Sequence, residues 1–138
     1  MYSLIYCSTA VKAFSPQELE DMLIHFRANN KNLDVTGALL YDGGVRLMQA
    51  IEGPELTIKI LFQRIMTDTR HHSVRVLSKC TINQRNFDLW SMHYKEYSPD
   101  TGLNKSDELG FSGLFGDMPL IDFDPTVKLA QTFRKQFG

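Results

Sequence analysis

The sequence of 138 residues has few cysteines and no long apolar run. Its two cysteines, Cys7 and Cys80, form no CxxC or Cys/His spacing, which argues against a disulfide framework or a zinc module and favours reduced thiols. No apolar run approaches the roughly 20 residues of a bilayer-spanning helix. The first residues lack the basic and apolar regions of a secretory signal. We therefore expect a cytoplasmic protein outside the membrane.

Charge and composition exclude other specialised classes of protein. The 15 basic and 16 acidic residues give a formal net charge of −1, so electrostatics offers no argument for direct binding to nucleic acid or to an anionic membrane. Hydrophobic residues make up 43% of the chain, which is usual for a globular protein, and the length fits one domain with a sizeable core.

The periodicity of apolar residues predicts the order β-α-β-β-α-β-β, followed by a last helix. The expected strands cover residues 2–8, 35–41, 45–53, 74–80 and 89–94. This order is typical of an α+β, ferredoxin-like sheet with two helices on one face, here with an added strand. Beyond Tyr97 the composition shifts to Gly, Ser and Asp, and Asp124-Pro125 begins a C-terminal helical extension.

Capping residues place the ends of the first two helices. Ser15-Pro16-Gln17-Glu18 is a helix start with a capping box. The run Asn29 to Asn32 is expected to end this helix near Ala28, because Asn tolerates the left-handed conformation. Gly53-Pro54 opens the second helix. Its expected apolar stripe comprises Leu56, Ile60, Leu61 and Ile65.

The third strand carries one polar side chain on an otherwise apolar face. It follows the hairpin signal Asp42-Gly43-Gly44. Because side chains alternate along a strand, Val45, Leu47, Gln49 and Ile51 share a face. A buried amide left unpaired costs roughly 1–3 kcal/mol. We therefore expect a polar group of the protein, or of a ligand, next to Gln49.

The sheet face beneath the helices should present unusual side chains for a hydrophobic core, namely Tyr6, Gln49, Trp90 and Met92. Each alone is more often structural, since buried Tyr and Trp usually pack and find one hydrogen bond, and Met fills gaps. Together with Asn29-Asn30 they outline a polar-lined slot between the two helices. Such a slot would fit a flat heterocycle with hydrogen-bonding edges.

These residues and their spacing resemble a known family. The matching motifs run in order over residues 2 to about 95: Tyr6, Asn29-Asn30, Val35-Thr36-Gly37, Leu47-Met48-Gln49 through Glu52-Gly53, Asp68-x-Arg70-His71 and Trp90-Ser91-Met92. Jointly they look like the BLUF domain, a sensor of blue light using FAD. The resemblance implies a photoreceptor and not an enzyme. It also implies a photosensor domain over residues 1–96 and an extension over residues 97–138 for output, dimerisation or capping.

The resemblance assigns the photochemical switch to Tyr6 and Gln49. Tyr6 corresponds to the tyrosine that gives an electron and a proton to the excited flavin, and Gln49 to the glutamine that bridges this tyrosine to the flavin. The hydrogen bonds of that amide rearrange after light, by rotation or by tautomerisation, and the flavin spectrum shifts to the red. Asn30 corresponds to the asparagine at the polar edge of the flavin ring, with Asn29 as its neighbour.

Further positions follow from the same resemblance. Arg64 and Ile65 correspond to second-helix residues that contact the flavin, and Asp68 lies at the polar side of the pocket. Trp90 and Met92 correspond to the pair that passes the signal outward. The implied cofactor is non-covalent FAD, with FMN or riboflavin as alternatives. The implied partners are an unidentified protein and further copies of the chain, as a dimer or a larger homo-oligomer.

Other residues of the chain favour plainer interpretations. His71 and His72 are adjacent in a strand, so their side chains point to opposite faces and make a poor metal pair. Cys7 should point away from the flavin, which argues against a covalent cysteinyl adduct. Phe26 stands where several relatives have a small or polar residue, so we expect a tighter pocket edge.

Competing functions of the same fold fit the sequence less well. An RNA-recognition module needs a basic face and an aromatic strand motif, whereas the third strand contains Val-Arg-Leu-Met-Gln-Ala-Ile-Glu. A phosphate-processing enzyme would need an anion loop, and Gly43-Gly44 lies in a hairpin. A flavin-dependent redox enzyme is the remaining alternative, although no nicotinamide fingerprint is present. For a photoreceptor, we expect light to alter the packing of the extension through Trp90 and Met92.

Overall fold

The computed structural model describes residues 1–87, 91–98, 102–103 and 125–137. Its strands are β1 (Tyr2–Ala10), β2 (Thr36–Tyr41), β3 (Arg46–Gly53), β4 (His71–Thr81), β5 (His93–Ser98) and β6 (Gly102–Leu103). Its helices are α1 (Pro16–Asn32), α2 (Glu55–Thr67) and α3 (Pro125–Phe137). The predicted α+β order and the C-terminal helix are confirmed.

The strands lie in the order β4-β1-β3-β2-β5-β6. β1 is antiparallel to β3 and β4, β3 is antiparallel to β2, and β2 is parallel to β5. β1 therefore lies inside the sheet, between β4 and β3. Gly37 allows β2 to approach β3 closely, since a Cβ at this position would lie 2.0 Å from the carbonyl oxygen of Ala50.

Helices cover both faces of the sheet. α1 and α2 cover one face, where Leu23, Ile51 and Ile58 are fully buried. α3 covers part of the other face, where Phe133 lies in one buried cluster with Met48. The described part of α3 thus packs on the domain's own sheet.

α1 begins as predicted but ends later. The Ser15 hydroxyl accepts a hydrogen bond from the Glu18 backbone, and the Glu18 side chain accepts one from the Ser15 backbone. The helix continues through Asn32, so the predicted end near Ala28 is wrong. The residue in the left-handed conformation is Asp34, with φ of 59°. Tertiary contacts of the last turn override the weak helix propensity of Asn.

The buried face of α2 is rotated relative to the prediction. The buried or partly buried apolar residues of this helix are Ile58, Leu61, Phe62 and Ile65. Leu61 and Ile65 are confirmed, whereas Leu56 and Ile60 are 70% and 45% exposed and were assigned to the wrong face. Apolar residues occur around much of this helix, so the helical period alone allows more than one stripe.

The strand limits also differ from the prediction, most of all at β4 and β5. β4 begins at His71 rather than at Val74, and β5 begins at His93, so Met92 precedes the strand. The Met92 carbonyl oxygen accepts a hydrogen bond from the Arg27 side chain at 3.0 Å. The predicted hairpin is confirmed, with φ of 79° at Gly43. No helix within the described ranges is long and apolar enough to cross a membrane.

Candidate functional site

Gln49 of β3 lies directly opposite Tyr6 of β1. Both side chains are on the face covered by α1 and α2, and each is 5% exposed. The Tyr6 hydroxyl donates a hydrogen bond to Oε1 of Gln49. This hydroxyl is the polar neighbour that burial of the amide requires.

The surroundings of Tyr6 keep its phenol protonated. Burial raises the pKa of Tyr6 well above its usual range, and the Asp68 carboxylate adds to this effect while Arg70 opposes it. The Phe62 and His71 rings lie on its sides, with centroids 5.5 and 6.4 Å from that of Tyr6. Tyr6 is therefore a neutral hydrogen-bond donor at physiological pH.

The other end of the Gln49 amide has a weak partner. Nε2 lies 3.5 Å from the sulfur of Met92, and a thioether is a weak acceptor. Among the described residues, no other acceptor lies within hydrogen-bond distance of this nitrogen. Because the amide nitrogen carries two hydrogens, Gln49 retains the capacity to donate to a bound molecule.

A cavity lies beside this pair, between α1 and α2. It contains about 600 Å³ of empty space, part of it open to solvent. Its walls are largely apolar and include Phe14, Phe26 and Leu61. The polar side chains that line it are Tyr6, Asn30, Gln49, Asp68, Arg70 and His71. An apolar cleft with a few converging polar groups is the usual form of a small-molecule site.

Asp68 and Arg70 form an ion pair in the cavity lining. The Arg70 guanidinium donates to both carboxylate oxygens, with a closest distance of 2.5 Å. These hydrogen bonds lower the pKa of Asp68 and raise the pKa of Arg70, so both groups stay ionised. The guanidinium carbon also lies 5.7 Å from the centroid of the Phe26 ring, which lines the cavity.

The structure separates the two predicted asparagines. Asn30 lines the cavity, is 4% exposed, and its Nδ2 donates to the carbonyl oxygen of Ser91 at 2.7 Å. Asn29 is exposed, and its side chain lies 3.2 Å from the ring nitrogen of His25. Consecutive residues of an α-helix differ by about 100° in direction, so one helix cannot turn both toward the cavity.

Of the remaining predicted site residues, some line the cavity and others do not. Ile65 and Asp68 line the cavity, whereas Arg64 is exposed on α2 and is not part of the lining. Met92 contacts Gln49 through its sulfur. Trp90 lies outside the described residues.

Two of the polar residues that line the cavity, Arg70 and His71, were given no binding role from the sequence. His71 is fixed by Nδ1, which lies 2.8 Å from the Ser8 hydroxyl, and by Nε2, which lies 2.5 Å from the Ile65 carbonyl oxygen. Arg70 and His71 both belong to the motif Asp68-x-Arg70-His71, so this motif already contained the signal for a role in the site.

The donor set suits a flat organic ring. Within the described ranges, no three His, Cys, Asp or Glu side chains come together in a way that could hold a metal ion. The apolar walls suit the faces of such a ring, and the spare donor capacity of Gln49 suits a hydrogen-bonding edge. Cys7 belongs to the buried cluster on the other face of the sheet, so its thiol does not line the cavity.

Comparison with known proteins adds an independent finding. The family model described as sensors of blue light using FAD, BLUF, matches residues 1–93. The blue light- and temperature-regulated antirepressor BluF of Escherichia coli K12 is 33% identical over 72 residues, which are 52% of this chain and 18% of that protein. The photoactivated adenylate cyclase subunit beta of Euglena longa is 31% identical over 83 residues, 60% of this chain and 10% of that protein.

A solved structure extends the likeness to nearly the whole chain. The dark-state structure of BlrB, a BLUF protein, has 26% sequence identity and a TM-score of 0.68, and the match covers 98% of this chain and 96% of that chain. The two curated relatives are much longer, and this chain spans less than a fifth of either.

Proposed function

This chain belongs to the BLUF family of blue-light sensors that use FAD, and we propose that it binds a flavin non-covalently in the cavity between α1 and α2 and acts as a photoreceptor. The observation that carries the proposal is the buried hydrogen bond from Tyr6 to Gln49 in the cavity lining. FAD is the expected cofactor. FMN and riboflavin would present the same ring to the cavity.

The apolar and the polar residues of the cavity lining have different roles in binding the flavin. The apolar walls bury the ring and exclude water, while the amides of Asn30 and Gln49 offer hydrogen bonds to its polar edge. Asp68 and Arg70 neutralise each other, so they add polarity without a net charge.

The role we propose for Tyr6 is donation of an electron coupled to loss of its proton. A bound flavin supplies the blue-light absorption and a one-electron acceptor. A phenol gives up an electron readily only when its proton can leave with it, and Oε1 of Gln49 is within hydrogen-bond reach to receive that proton. Because an O-protonated amide is a strong acid, Nε2 would release one of its own hydrogens to a bound acceptor as Oε1 gains one, so that the side chain stays neutral. The raised pKa of Tyr6 ensures that the proton is present beforehand.

Gln49 is the switching element. Its donor and acceptor ends are nearly equal in size, so rotation or tautomerisation exchanges their hydrogen bonds without repacking the core. Oε1 faces Tyr6, and Nε2 faces the Met92 sulfur. Because a thioether is a weak acceptor, giving up the contact between Nε2 and the Met92 sulfur costs little.

The outward signal passes through the residues that precede β5. Rearrangement of the Gln49 amide changes what the Met92 sulfur contacts. The Met92 carbonyl oxygen accepts a hydrogen bond from the Arg27 side chain, so a change at Met92 also reaches α1. The family resemblance adds Trp90 to this path.

The output we propose is a change in self-association or in affinity for a protein partner. Residues 1–96 would be the sensor and residues 97–138 the output extension. In support, the Arg46 guanidinium at the start of β3 lies 4.9 Å from the centroid of the Phe137 ring in α3, so the Gln49 strand touches the extension directly. We propose that the chain is itself no enzyme and works in the cytoplasm. The names of the relatives, an antirepressor and a cyclase subunit, indicate how varied such outputs are.

The absorption spectrum of the purified, flavin-reconstituted protein tests the proposal, in darkness and directly after blue light. We expect oxidised-flavin bands that shift slightly to the red and return in darkness. Flavin that only bleaches, with turnover of a pyridine nucleotide in darkness, would favour the alternative of a flavin-dependent redox enzyme. Failure to bind flavin would refute both functions.

Tyr6→Phe then tests the donor. The variant keeps the ring beside Phe62 and loses the hydroxyl, so we expect bound flavin without the normal photocycle. Tyr2→Phe is a matched control, because Tyr2 lies on the same strand outside the cavity lining, and it should cycle as the wild type does. A normal photocycle in Tyr6→Phe would contradict the assignment.

A further inference from the structure

Glu52 of β3 is a buried carboxylate that the proposed function leaves unused. It is 1% exposed, and the alternation of the strand places it on the face opposite to Gln49. Its oxygens accept hydrogen bonds from the Thr36 hydroxyl at 3.2 Å and from the backbone N–H groups of Asn86 and Phe87 at 3.0 and 2.5 Å. A buried carboxylate needs such partners to replace the water that it loses. Two of the three donors lie between β4 and β5.

Arg85 strengthens the same attachment. Its guanidinium donates to the Thr36 hydroxyl at 3.0 Å, to the Glu52 carbonyl oxygen at 3.2 Å and to the Asp34 carbonyl oxygen at 2.8 Å. We call Glu52, Thr36, Arg85 and the N–H groups of residues 86–87 the Glu52 clasp. The clasp ties the connection between β4 and β5 to strands β2 and β3.

This connection is attached on both faces of the sheet. Phe87, next to the clasp, is buried in the cluster that includes Met48 and Phe133. On the cavity side, Asn30 bonds the Ser91 carbonyl and the Met92 sulfur reaches Gln49. The four steps of chain from Phe87 to Ser91 span at most about 14 Å. The clasp therefore lies within four residues of Ser91 along the chain.

We propose that Glu52 is a positioning residue of the light switch. By fixing residues 86–87 it keeps the Met92 sulfur against the Gln49 amide, and it thereby sets how fast the lit state returns to the dark state. A loosened clasp gives Ser91 and Met92 more freedom, which lowers the barrier to the return of the amide. This inference rests on the proposed photoreceptor function, because it concerns the lifetime of the lit state.

Glu52→Gln tests the inference with little change in shape. The variant replaces one acceptor oxygen by an NH₂ group. This group is a donor, so one of the hydrogens that bond to Glu52 would face a donor and lose its acceptor. We expect flavin to bind and dark recovery to be about 3- to 10-fold faster, the factor that follows from the loss of one hydrogen bond. The matched control is Glu55→Gln, because that carboxylate is exposed and pairs with Lys59, and it should recover at the wild-type rate.

A double-mutant cycle separates positioning from general loosening of the fold. In a Met92→Leu background, Glu52→Gln should change recovery by less than about twofold, because the sulfur through which Glu52 acts is gone. An equal factor in both backgrounds would overturn the inference, and so would wild-type recovery in Glu52→Gln.

A second variant keeps the inference testable if Glu52→Gln does not fold. Arg85→Gln weakens the same clasp from a side chain that is only partly buried, and it should also speed recovery. Unchanged recovery in Arg85→Gln would then overturn the inference. A wild-type protein without any red shift would instead refute the proposed photoreceptor function, so the two failures are distinguishable.

Discussion

Replacing Gln49 by leucine perturbs the proposed switch at its centre. Leucine is close to the amide in size, so the core stays filled and the flavin should still bind. The replacement leaves the Tyr6 hydroxyl, in a side chain that is 5% exposed, without its acceptor. It also removes the weak contact with the Met92 sulfur.

The structure sets the magnitude of the effect on stability. A buried donor left unpaired costs about 1–3 kcal/mol. Part of this is offset, because leucine has no amide to bury. We expect the free energy of unfolding to fall by about 1–2 kcal/mol, which lowers Tm by about 3–6 °C for a chain of this length.

The assay is the light-minus-dark absorption difference of the reconstituted variant. We expect oxidised-flavin bands without a red-shifted state, since no amide remains to exchange its hydrogen bonds. Gln63→Leu makes the same replacement at an exposed position of α2 and should shift as the wild type does. A full red shift in Gln49→Leu would refute the switch. An unchanged Tm would refute the claim that Gln49 satisfies the Tyr6 hydroxyl.

Three further predictions concern binding, packing and pH. Asn30→Ala should weaken flavin binding by about tenfold in a titration. Asn29→Ala, at an exposed position, should leave the Kd unchanged. Equal effects of the two variants would contradict the placement of Asn30 inside the cavity and Asn29 outside it. Gly37→Ala should lower the free energy of unfolding, measured by thermal melts, by more than about 2 kcal/mol, because the added methyl would lie 2.0 Å from a backbone atom. Gly44→Ala should cost less in the same melts, because the nearest neighbour of its added methyl is a side-chain atom at 3.3 Å. Burial and the nearby cationic side chains lower the pKa of His93 to about 3, so between about pH 6.5 and 3 the unfolded chain binds a proton that the folded chain does not. Stability should therefore fall as the pH drops through this range, by up to about 1.4 kcal/mol per pH unit, and an equally steep loss in His93→Gln would show that another group is responsible.

Features that depend on a few neighbouring residues could be predicted from the sequence. The capping box of Ser15 and Glu18 spans one helical turn, and the hairpin at Gly43 depends on one positive φ. The alternation of β3 correctly placed Gln49 on the same face as Leu47 and Ile51, and all three are buried. In each case the deciding interactions lie within the segment itself.

Features that depend on distant partners could not be predicted in the same way. The end of α1 was misplaced, and its last turn is tied through Asn30 to Ser91, 61 residues away. The start of β5 was also misplaced, and the residue before it is bonded to Arg27, 65 residues away. The partners of Glu52 lie 16 to 35 residues away, so its presence in a recognisable motif gave no indication of what it binds.

The sequence by itself determined the order of the strands and helices, the buried position of Gln49 and the motifs of the blue-light sensor family. Only the tertiary structure decided which of two adjacent residues lines the cavity, Asn30 rather than Asn29 and Ile65 rather than Arg64. The physical reason is that a helical period fixes the spacing of side chains, whereas the rotation of the helix is fixed by the surface on which it packs. That surface is assembled from strands far apart in the chain, so it exists only once the chain has folded.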